Sequence, residues 1–228
     1  MEKELVIKPI AVIKNDFKEK FGIPRQSGRA PSLLSKIVFL PEYKNPDALR
    51  GIEEFSHLWL LFNFSKAHKE GWSATVRPPR LGGNTRVGVF ASRSPFRPNP
   101  IGLSCVKLER IEKGSANDWV LIVSGADLLD GTPIFDIKPY ISMDCHSNAV
   151  CGFQESTRED TLQVEFPEDL LALIEPANRD GLLQVLAQDP RPSYQDDPKR
   201  VYGFPFGGFD VRFRVASGVL TVVELVRI

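Results

Sequence analysis

Long hydrophobic runs are missing from this sequence of 228 residues. Its longest apolar stretches, such as LWLLF at 58–62, are far shorter than the roughly 20 residues that span a bilayer. The opening MEKELVIKPIAVIKN has neither the long apolar core nor the cleavage-like site of a secretory signal. The three cysteines form no CxxC pair, and their odd number suits reduced thiols. We therefore expect a cytoplasmic protein.

An excess of either charge is also missing, because 29 basic residues balance 29 acidic ones. Net charge therefore neither favours nor excludes a nucleic-acid partner. Residues 71–108, however, contain no acidic residue at all. Their cations are Arg77, Arg80, Arg86, Arg93, Arg97 and Lys107. This local field predicts an anionic partner, with a solvated basic surface as the alternative.

Common nucleotide and metal motifs are absent too. LGGNT at 81–85 lacks the spacing and the lysine of a P-loop, and it precedes a predicted strand. No GxGxxG joins a strand to a helix, so a Rossmann fold has no support. Cys145, His146 and Cys151 match no common zinc spacing. We predict no metal site.

Short strands and frequent turns are present instead, with 18 prolines and 17 glycines. The predicted strands include Leu5–Ile13, His57–Phe64, Arg86–Ala91 and Trp119–Ser124, and the one predicted helix in this part is Pro46–Phe55. This spacing has no strand–helix–strand rhythm. It therefore predicts a mainly β fold, either a barrel or a sandwich.

The last third of the chain has a different pattern. Pro167–Ile174 and Asp180–Ala187 are predicted short helices with acidic openings. The alternation at 209–215, the Ser-Gly turn and the apolar run at 219–226 predict a hairpin with one buried face. We therefore expect a small α+β domain after a boundary near 145–155.

The segment SRSPFRPNPIG, 92–102, is unusually stiff and cationic. Its three prolines fix their own φ angles and push the preceding residues towards extended geometry, so little entropy is lost when a ligand binds. Arg93 and Arg97 offer forked donors for a carboxylate or a phosphate, and Asn99 adds a donor and an acceptor. The alternative is a rigid connection whose arginines stabilise the fold.

A second cluster of polar residues follows in ADLLDGTPIFDIKPY, 126–140. Asp127, Asp130 and Asp136 lie close to one predicted turn, and Lys138 shares a strand face with Asp136. Carboxylates placed in this way can bind ribose hydroxyls or accept a proton. For Asp130, turn formation around Asp130-Gly131 is the alternative.

Four motifs, in this order, carry a resemblance to a known family. PRQSG, GIEEFSHLWLLF, SRSPFRPNPIGLS and LDGTPIFDIKPYI resemble the TsaA-like family, and within it the bacterial tRNA (N6-threonylcarbamoyladenosine37-N6)-methyltransferases. The likeness covers roughly residues 5–142, and LAQDPRPSY and FDVRFRV in the tail also match the bacterial branch.

The resemblance implies a β-barrel that is not a Rossmann fold. Together with the pattern of the last third of the chain, it predicts the barrel at 1–145 and a small α+β domain at 146–228. It implies S-adenosyl-L-methionine as cofactor and methylation of N6 of threonylcarbamoyladenosine at position 37, in the anticodon loop of threonine-type tRNA. It also implies a homodimer.

Site residues are carried over from the resemblance by matching positions. The implied cofactor contacts are Gln26, Ser27, Gly28, Ser65, Lys66, Arg93, Leu103, Asp127, Leu128, Leu129 and Asp130. Residue chemistry assigns tRNA contacts to Arg77 and Arg80, and contacts with the tRNA or the threonyl carboxylate to Arg97, Asn99 and Lys138. The N6 nitrogen is a poor nucleophile until its proton leaves, so a base is expected, with Asp136 first and Asp130 second.

Two alternatives to this function stay open. The first is a β-barrel that binds a small ligand or RNA without catalysing a reaction. The second is a structural domain that uses the basic loop to bind another protein.

Overall fold

The computed structural model describes residues 5–66, 71–78, 81, 84–114, 118–154, 161–191, 195 and 197–228. The strands are β1 (Ala11–Lys14), β2 (Leu34–Phe39), β3 (His57–Asn63), β4 (Thr75–Val76), β5 (Val87–Gly88), β6 (Ile101–Lys113), β7 (Trp119–Ser124), β8 (Pro133–Pro139), β9 (Gln163–Glu165), β10 (Tyr202–Phe206), β11 (Phe209–Ala216) and β12 (Val219–Arg227). The helices are α1 (Glu168–Leu171) and α2 (Pro176–Ala187). Neither they nor any other helix among these residues is long and apolar enough to cross a membrane.

Six strands close into a barrel in the order β1-β2-β7-β6-β3-β8. Along β3, buried and half-buried residues alternate, so Leu58, Leu60 and Phe62 point into the barrel core. Neighbouring strands add Ile13, Ile37, Val106, Leu121 and Ile134 to that core. Closure leaves no exposed edge, which protects short strands from pairing with other chains. The predicted mainly β fold is confirmed.

A second core lies under the four-stranded sheet β10-β11-β12-β9. The predicted hairpin is confirmed, because β11 pairs antiparallel with β12. Its buried face carries Val211, Phe213 and Val215, and α2 packs Leu182 and Leu186 into the same core. This unit provides the small α+β part of the fold.

Residues 15–33, between β1 and β2, pack into this second core although they belong to the N-terminal part of the chain. Phe17, Ala30 and Leu33 are buried there. The fit is close, because a Cβ on Gly181 of α2 would lie 2.1 Å from Leu33 Cδ2. A Cβ on Gly22 would likewise lie 2.4 Å from Phe204 Cδ2. The domain boundary near residue 145 stays a prediction. Segment 15–33 precedes that boundary in sequence but packs with the residues that follow it.

Hydrogen bonds reinforce this packing. The Gln184 side chain accepts from the Ser32 backbone N–H at 3.0 Å and donates to the Ser32 hydroxyl at 2.9 Å. Gln188 Nε2 donates to the Arg29 carbonyl at 2.9 Å. Arg25 Nη2 donates to the carbonyls of Asp189 and Arg191, at 3.0 Å each. The C-terminal unit therefore holds segment 15–33 both by apolar packing and by hydrogen bonds.

Some predicted elements have a different local structure. The helix predicted at Pro46–Phe55 is two 3₁₀ turns, Pro46–Leu49 and Ile52–Glu54, because Gly51 between them has φ +84°. The strand predicted at Arg86–Ala91 ends at Gly88, and Val89–Ala91 is a 3₁₀ turn. The first strand begins at Ala11 rather than at Leu5.

Candidate active site

The stiff segment 92–102, between β5 and β6, places Arg93 against Gln26, and both are predicted cofactor contacts. Arg93 Nη1 donates to Gln26 Oε1 at 2.9 Å, across 67 positions of sequence. Arg97 lies inside the same segment, and its Nη2 donates to the carbonyls of Val89 and Ser92, at 3.3 Å each. The two arginines therefore differ in role, since Arg97 holds the loop together while Arg93 reaches another loop.

The loop Gln26–Gly28 is held against the chain that follows β7. The Gly28 N–H donates to the Gly125 carbonyl at 2.8 Å. Gly125 has φ +73°, and a Cβ there would lie 3.1 Å from Gly28 Cα. A residue with a side chain at position 125 would thus have a strained backbone, and its Cβ would crowd the backbone of Gly28. This close approach places Ser27 beside Asp127.

Asp127 is the most deeply buried of the predicted site carboxylates. Its Oδ1 accepts a hydrogen bond from the Ser104 hydroxyl, whose side chain lies inside the barrel. Burial raises the pKa of Asp127 above its ordinary value, although hydrogen bonds from Ser104 and the Ser27 backbone, and the nearby Arg93 charge, oppose the shift. A buried carboxyl with a raised pKa beside a guanidinium is a typical feature of functional sites.

Asp130 has a different environment, although it lies only three residues further on. Its Oδ1 accepts from the Asn15 N–H at 3.0 Å, and its Oδ2 lies 2.9 Å from Lys18 Nζ. Burial alone would raise the pKa of Asp130, but the Lys18 and Asn15 hydrogen bonds lower it below its ordinary value. Leu128, between the two carboxylates, is buried in the barrel core. Asp130 therefore anchors the end of β1 to this turn.

The outer wall of the barrel carries a second set of predicted residues. Leu61 on β3 pairs with Leu103 on β6 and with Asp136 on β8, so these three residues lie in one row. Leu103 is 49% exposed. Asp136 Oδ2 lies 2.8 Å from Lys138 Nζ, as expected for two residues on one strand face. Leu103 and Asp136 are thus separated by the barrel wall from the interior, where Ser104 lies.

A cavity of about 1000 Å³ lies between the barrel loops and the C-terminal unit. Gln26, Arg93 and Arg77 line it from the barrel side, and Gln188 and Arg191 line it from the C-terminal side. Its size is at the upper end of the usual range for small-molecule sites. Arg80, a predicted tRNA contact, lies outside the described residues. Asn99 is exposed at the end of the stiff segment.

Ser65 and Lys66 follow β3, and both are exposed. Lys20 Nζ donates to the Lys66 carbonyl at 2.5 Å, and Lys20 itself lines the cavity. Leu129 is partly buried in the turn with Asp130, and its carbonyl accepts from the Thr132 N–H at 3.1 Å. Lys66 is thus connected to the cavity through Lys20, whereas Leu129 belongs to the turn that Asp130 anchors to β1.

Sequence reasoning missed Ser104, Lys18 and the cavity residues of the C-terminal unit. Ser104 sits in a strand pattern that looks wholly structural, and only its pairing with Asp127 reveals a second role. Gln188 and Arg191 lie about 160 positions from segment 15–33, and no local pattern predicts such a contact. Within the described part of the chain, no group of three or more His, Cys, Asp or Glu side chains could hold a metal ion.

The fold and the site define a β-barrel protein with a cationic cavity that a C-terminal α+β unit lines on one side. The family model described as tRNA-methyltransferase O N-terminal domain matches residues 12–145. The TrmO C-terminal domain matches residues 159–228. The chain belongs to the tRNA-methyltransferase O family.

Relatives match along nearly the whole chain. The tRNA (adenine(37)-N6)-methyltransferase of Escherichia coli is 42% identical over 226 residues, 95% of each chain. A Pseudomonas aeruginosa protein named for S-adenosylmethionine-dependent methyltransferase activity is 42% identical over 91% of each chain. The crystal structure of TrmO from Pseudomonas aeruginosa superposes with TM-score 0.79 at 33% identity, covering 98% of each chain.

Proposed function

We propose that this chain is an S-adenosyl-L-methionine-dependent tRNA methyltransferase that methylates N6 of the modified adenosine at position 37. The observation that carries the proposal is its 42% identity, over 95% of each chain, to a tRNA (adenine(37)-N6)-methyltransferase. The buried Asp127 and the cationic cavity beside it support the assignment. Threonylcarbamoyladenosine of threonine-type tRNA is the proposed acceptor, in line with the sequence motifs. A cytoplasmic location is proposed along with this substrate.

The residues around Gln26 and Asp127 suit the methyl donor. Bound there, S-adenosyl-L-methionine supplies a methyl group on a positively charged sulfur, ready for in-line displacement. The donor has ribose hydroxyls, an ammonium and a carboxylate, and Asp127 can accept hydrogen bonds from the first two groups. Arg93 can donate to the carboxylate. The remaining contacts are proposed from Ser27, Gly28, Ser65, Lys66, Leu103, Leu128, Leu129 and Asp130.

Asp136 is the proposed general base that takes the N6 proton. Its carboxylate is partly exposed on the outer barrel wall, where a bulky acceptor could reach it. Asp130 is the second candidate, but its contacts with Lys18 and Asn15 and its lowered pKa make it a weaker base. Lys138, Arg77, Arg80, Arg97 and Asn99 are the proposed tRNA contacts.

A homodimer is also proposed. Leu103 is exposed on the outer wall that carries Asp136, and Ile141 and Met143 are exposed just after β8, the strand of Asp136. Exposed apolar residues that cluster on one face are typical of interaction surfaces. Sedimentation should therefore give the mass of two chains, and Met143→Asp should shift the protein towards the monomer. A wild-type protein that sediments as a monomer at micromolar concentration would contradict the proposal.

The central test incubates the protein with tRNA that carries threonylcarbamoyladenosine and with labelled methyl donor, followed by nucleoside analysis. We expect label in a single nucleoside, the N6-methylated product. Asp136→Asn should lower the single-turnover rate by roughly 10²–10⁴-fold, which is the usual contribution of general base catalysis. Asp118→Asn is the matched control, because Asp118 also pairs with a lysine, Lys44, at 2.6 Å. A full single-turnover rate in Asp136→Asn would remove the base assignment.

A non-catalytic ligand- or RNA-binding barrel is the competing function. A thermal shift with S-adenosyl-L-methionine separates the two, because a ligand that binds only the folded state raises the apparent stability. No shift at high excess of the donor would favour the competing function.

A further inference from the structure

Two large aromatic rings are exposed side by side at the edge of the basic segment. Trp72 is 54% exposed and Phe90 is 75% exposed. Their ring centroids lie 6.2 Å apart with an angle of 25° between the planes, so the rings are stacked on each other. Aromatic residues bury large areas when they can, and a contacting pair left in solvent indicates a surface that another molecule covers.

The backbone beneath this pair is well anchored. Trp72 precedes β4 and Phe90 follows β5, and the two strands pair as a short ribbon through Thr75 with Gly88 and Val76 with Val87. The Val89 N–H donates to the Ala74 carbonyl at 3.0 Å, and the Val89 side chain is buried. Arg97 donates to the Val89 carbonyl from the stiff segment. Because Val89 is fixed from both sides, the neighbouring Phe90 is held outwards.

The surroundings of the pair are cationic rather than apolar. Arg77 and Arg86 are exposed on the same ribbon, and Arg86 Nη1 donates to Thr75 Oγ1 at 3.3 Å. The whole segment 71–108 has no acidic residue. Trp72 also lines the cavity that contains Arg93 and Gln26. The pair therefore lies at the rim of the candidate active site, within a positive field.

We propose that Trp72 and Phe90 form a stacking platform for an unpaired nucleobase of the RNA substrate, adjacent to the nucleotide that enters the cavity. Single-stranded RNA is bound where aromatic faces take splayed bases and nearby cations take the phosphates. Arg77 and Arg86 supply those cations. This inference rests on the proposed function, because it assigns the platform to the same RNA.

Charge and shape favour a nucleobase over a second protein chain. A protein-binding patch of this size needs a broad apolar surface, whereas Trp72 and Phe90 are flanked by exposed Ser73, Thr75 and Arg86. A nucleobase needs one flat aromatic face and a phosphate contact on either side. Both are present on the β4–β5 ribbon.

The test uses an isolated anticodon hairpin, with one stem and its single-stranded loop, and a fully paired duplex of equal length. Base stacking on Trp72 should quench tryptophan fluorescence with the hairpin and much less with the duplex. Trp72→Phe should keep the hairpin affinity and lose most of the quenching, because phenylalanine still stacks. Trp72→Leu and Phe90→Leu should each weaken hairpin binding by roughly 5- to 150-fold, the usual loss when a stacking ring is removed.

Controls separate stacking from folding and from phosphate binding. Trp119→Leu changes a tryptophan on the β6–β7 hairpin, beside Lys113, and should leave hairpin binding unchanged. Duplex binding, which depends on phosphates, should be similar in Trp72→Leu and in the wild type. Urea unfolding of each variant confirms that it folds, and Trp72→Phe keeps the proposal testable if Trp72→Leu does not.

Three outcomes would overturn the proposal. Equal quenching by hairpin and duplex, or hairpin binding by Trp72→Leu as tight as by the wild type, would show that no base stacks there. A change of oligomeric state in Trp72→Leu without loss of RNA affinity would assign the pair to a protein interface. Methylation by the wild type is scored separately. Quenching and affinity that behave as expected without any methyl transfer would keep the platform and refute the proposed function.

Discussion

Leu33 and Gly181 allow the packing of segment 15–33 against the C-terminal unit to be measured. Leu33 is 5% exposed in the second core, and a Cβ on Gly181 would lie 2.1 Å from its Cδ2 and 2.3 Å from its Cγ. Leu33→Ala should lower the free energy of unfolding by about 2–5 kcal/mol, through lost burial and the cavity that remains. Leu34→Ala is the matched control, because Leu34 is 48% exposed and its truncation should change stability by less than about 0.5 kcal/mol.

Gly181→Ala has two opposing effects. Alanine is favoured over glycine in a helix interior by about 1 kcal/mol, but the methyl group would overlap a buried leucine, and overpacking costs about 1–3 kcal/mol. The change should therefore be neutral or destabilising in the wild type. In the Leu33→Ala background the overlapping carbons are gone, so Gly181→Ala should stabilise by about 1 kcal/mol. The double-mutant cycle should give a coupling of about 1–3 kcal/mol.

Urea unfolding followed by circular dichroism measures all four proteins, with the slope m compared to check that the transition is unchanged. Amide exchange at Gly28 gives a second measurement, because its hydrogen bond to Gly125 depends on how segment 15–33 is held. Exchange at Gly28 should be faster in Leu33→Ala and should slow again in the double variant. Changes in stability that add to within about 0.5 kcal/mol would refute the packing argument.

Three further predictions concern charge. The pKa of Asp127 is raised in the folded protein, so the wild type should lose stability relative to Asp127→Asn as pH rises from below 3.8, the ordinary pKa, through the raised pKa of the folded state. Urea unfolding of both proteins across this pH range measures the loss. Because the pKa of Asp130 is lowered in the folded protein, Asp130→Asn should be less stable than the wild type by about 1–3 kcal/mol above pH 3.8. This difference in stability should vanish as pH falls through the lowered pKa of the folded state. A difference that persists below that pKa would contradict the pairing of Asp130 with Lys18. Binding of tRNA should weaken as salt rises, and Arg77→Ala should make the logarithmic salt slope shallower by about 1, whereas Arg110→Ala should not; a salt-independent affinity would remove the electrostatic argument.

The sequence predicted those parts of the fold that depend on local pattern. Trp119–Ser124 has the predicted bounds, because an uninterrupted apolar run of that length between turn residues suits a buried strand. The prediction of a helix at Pro46–Phe55 was wrong. It relied on the spacing of apolar residues and took no account of Gly51, whose left-handed backbone divides the segment into two turns. The strand at Arg86–Ala91 was wrong at its end because Val89 turns inwards and its N–H bonds to Ala74.

The candidate site was predictable only as a set of residue types. The motifs brought Gln26, Arg93 and Asp127 together in one hypothesis, and the contact from Arg93 to Gln26 is consistent with it. The difference between Asp127 and Asp130 was not predictable, because it depends on partners about 115 positions away, at Asn15 and Lys18, and on burial. Contacts of that kind follow from the closed barrel rather than from spacing.

The dependence of segment 15–33 on the second core has a consequence for synthesis of the chain. The ribosome releases this segment on the order of ten to forty seconds before the residues around Phe204 and Val222 that cover it, at the usual 5–20 residues per second. During that interval Phe17 and Leu33 have no apolar cover, so they are a natural target for chaperones. The loop Gln26–Gly28 lies within this segment, so its contacts with Gly125 and Arg93 are made by a segment that lacks its apolar cover until β10–β12 have formed. The cavity is thus complete only after the C-terminal unit has folded, because Gln188 and Arg191 of that unit line it.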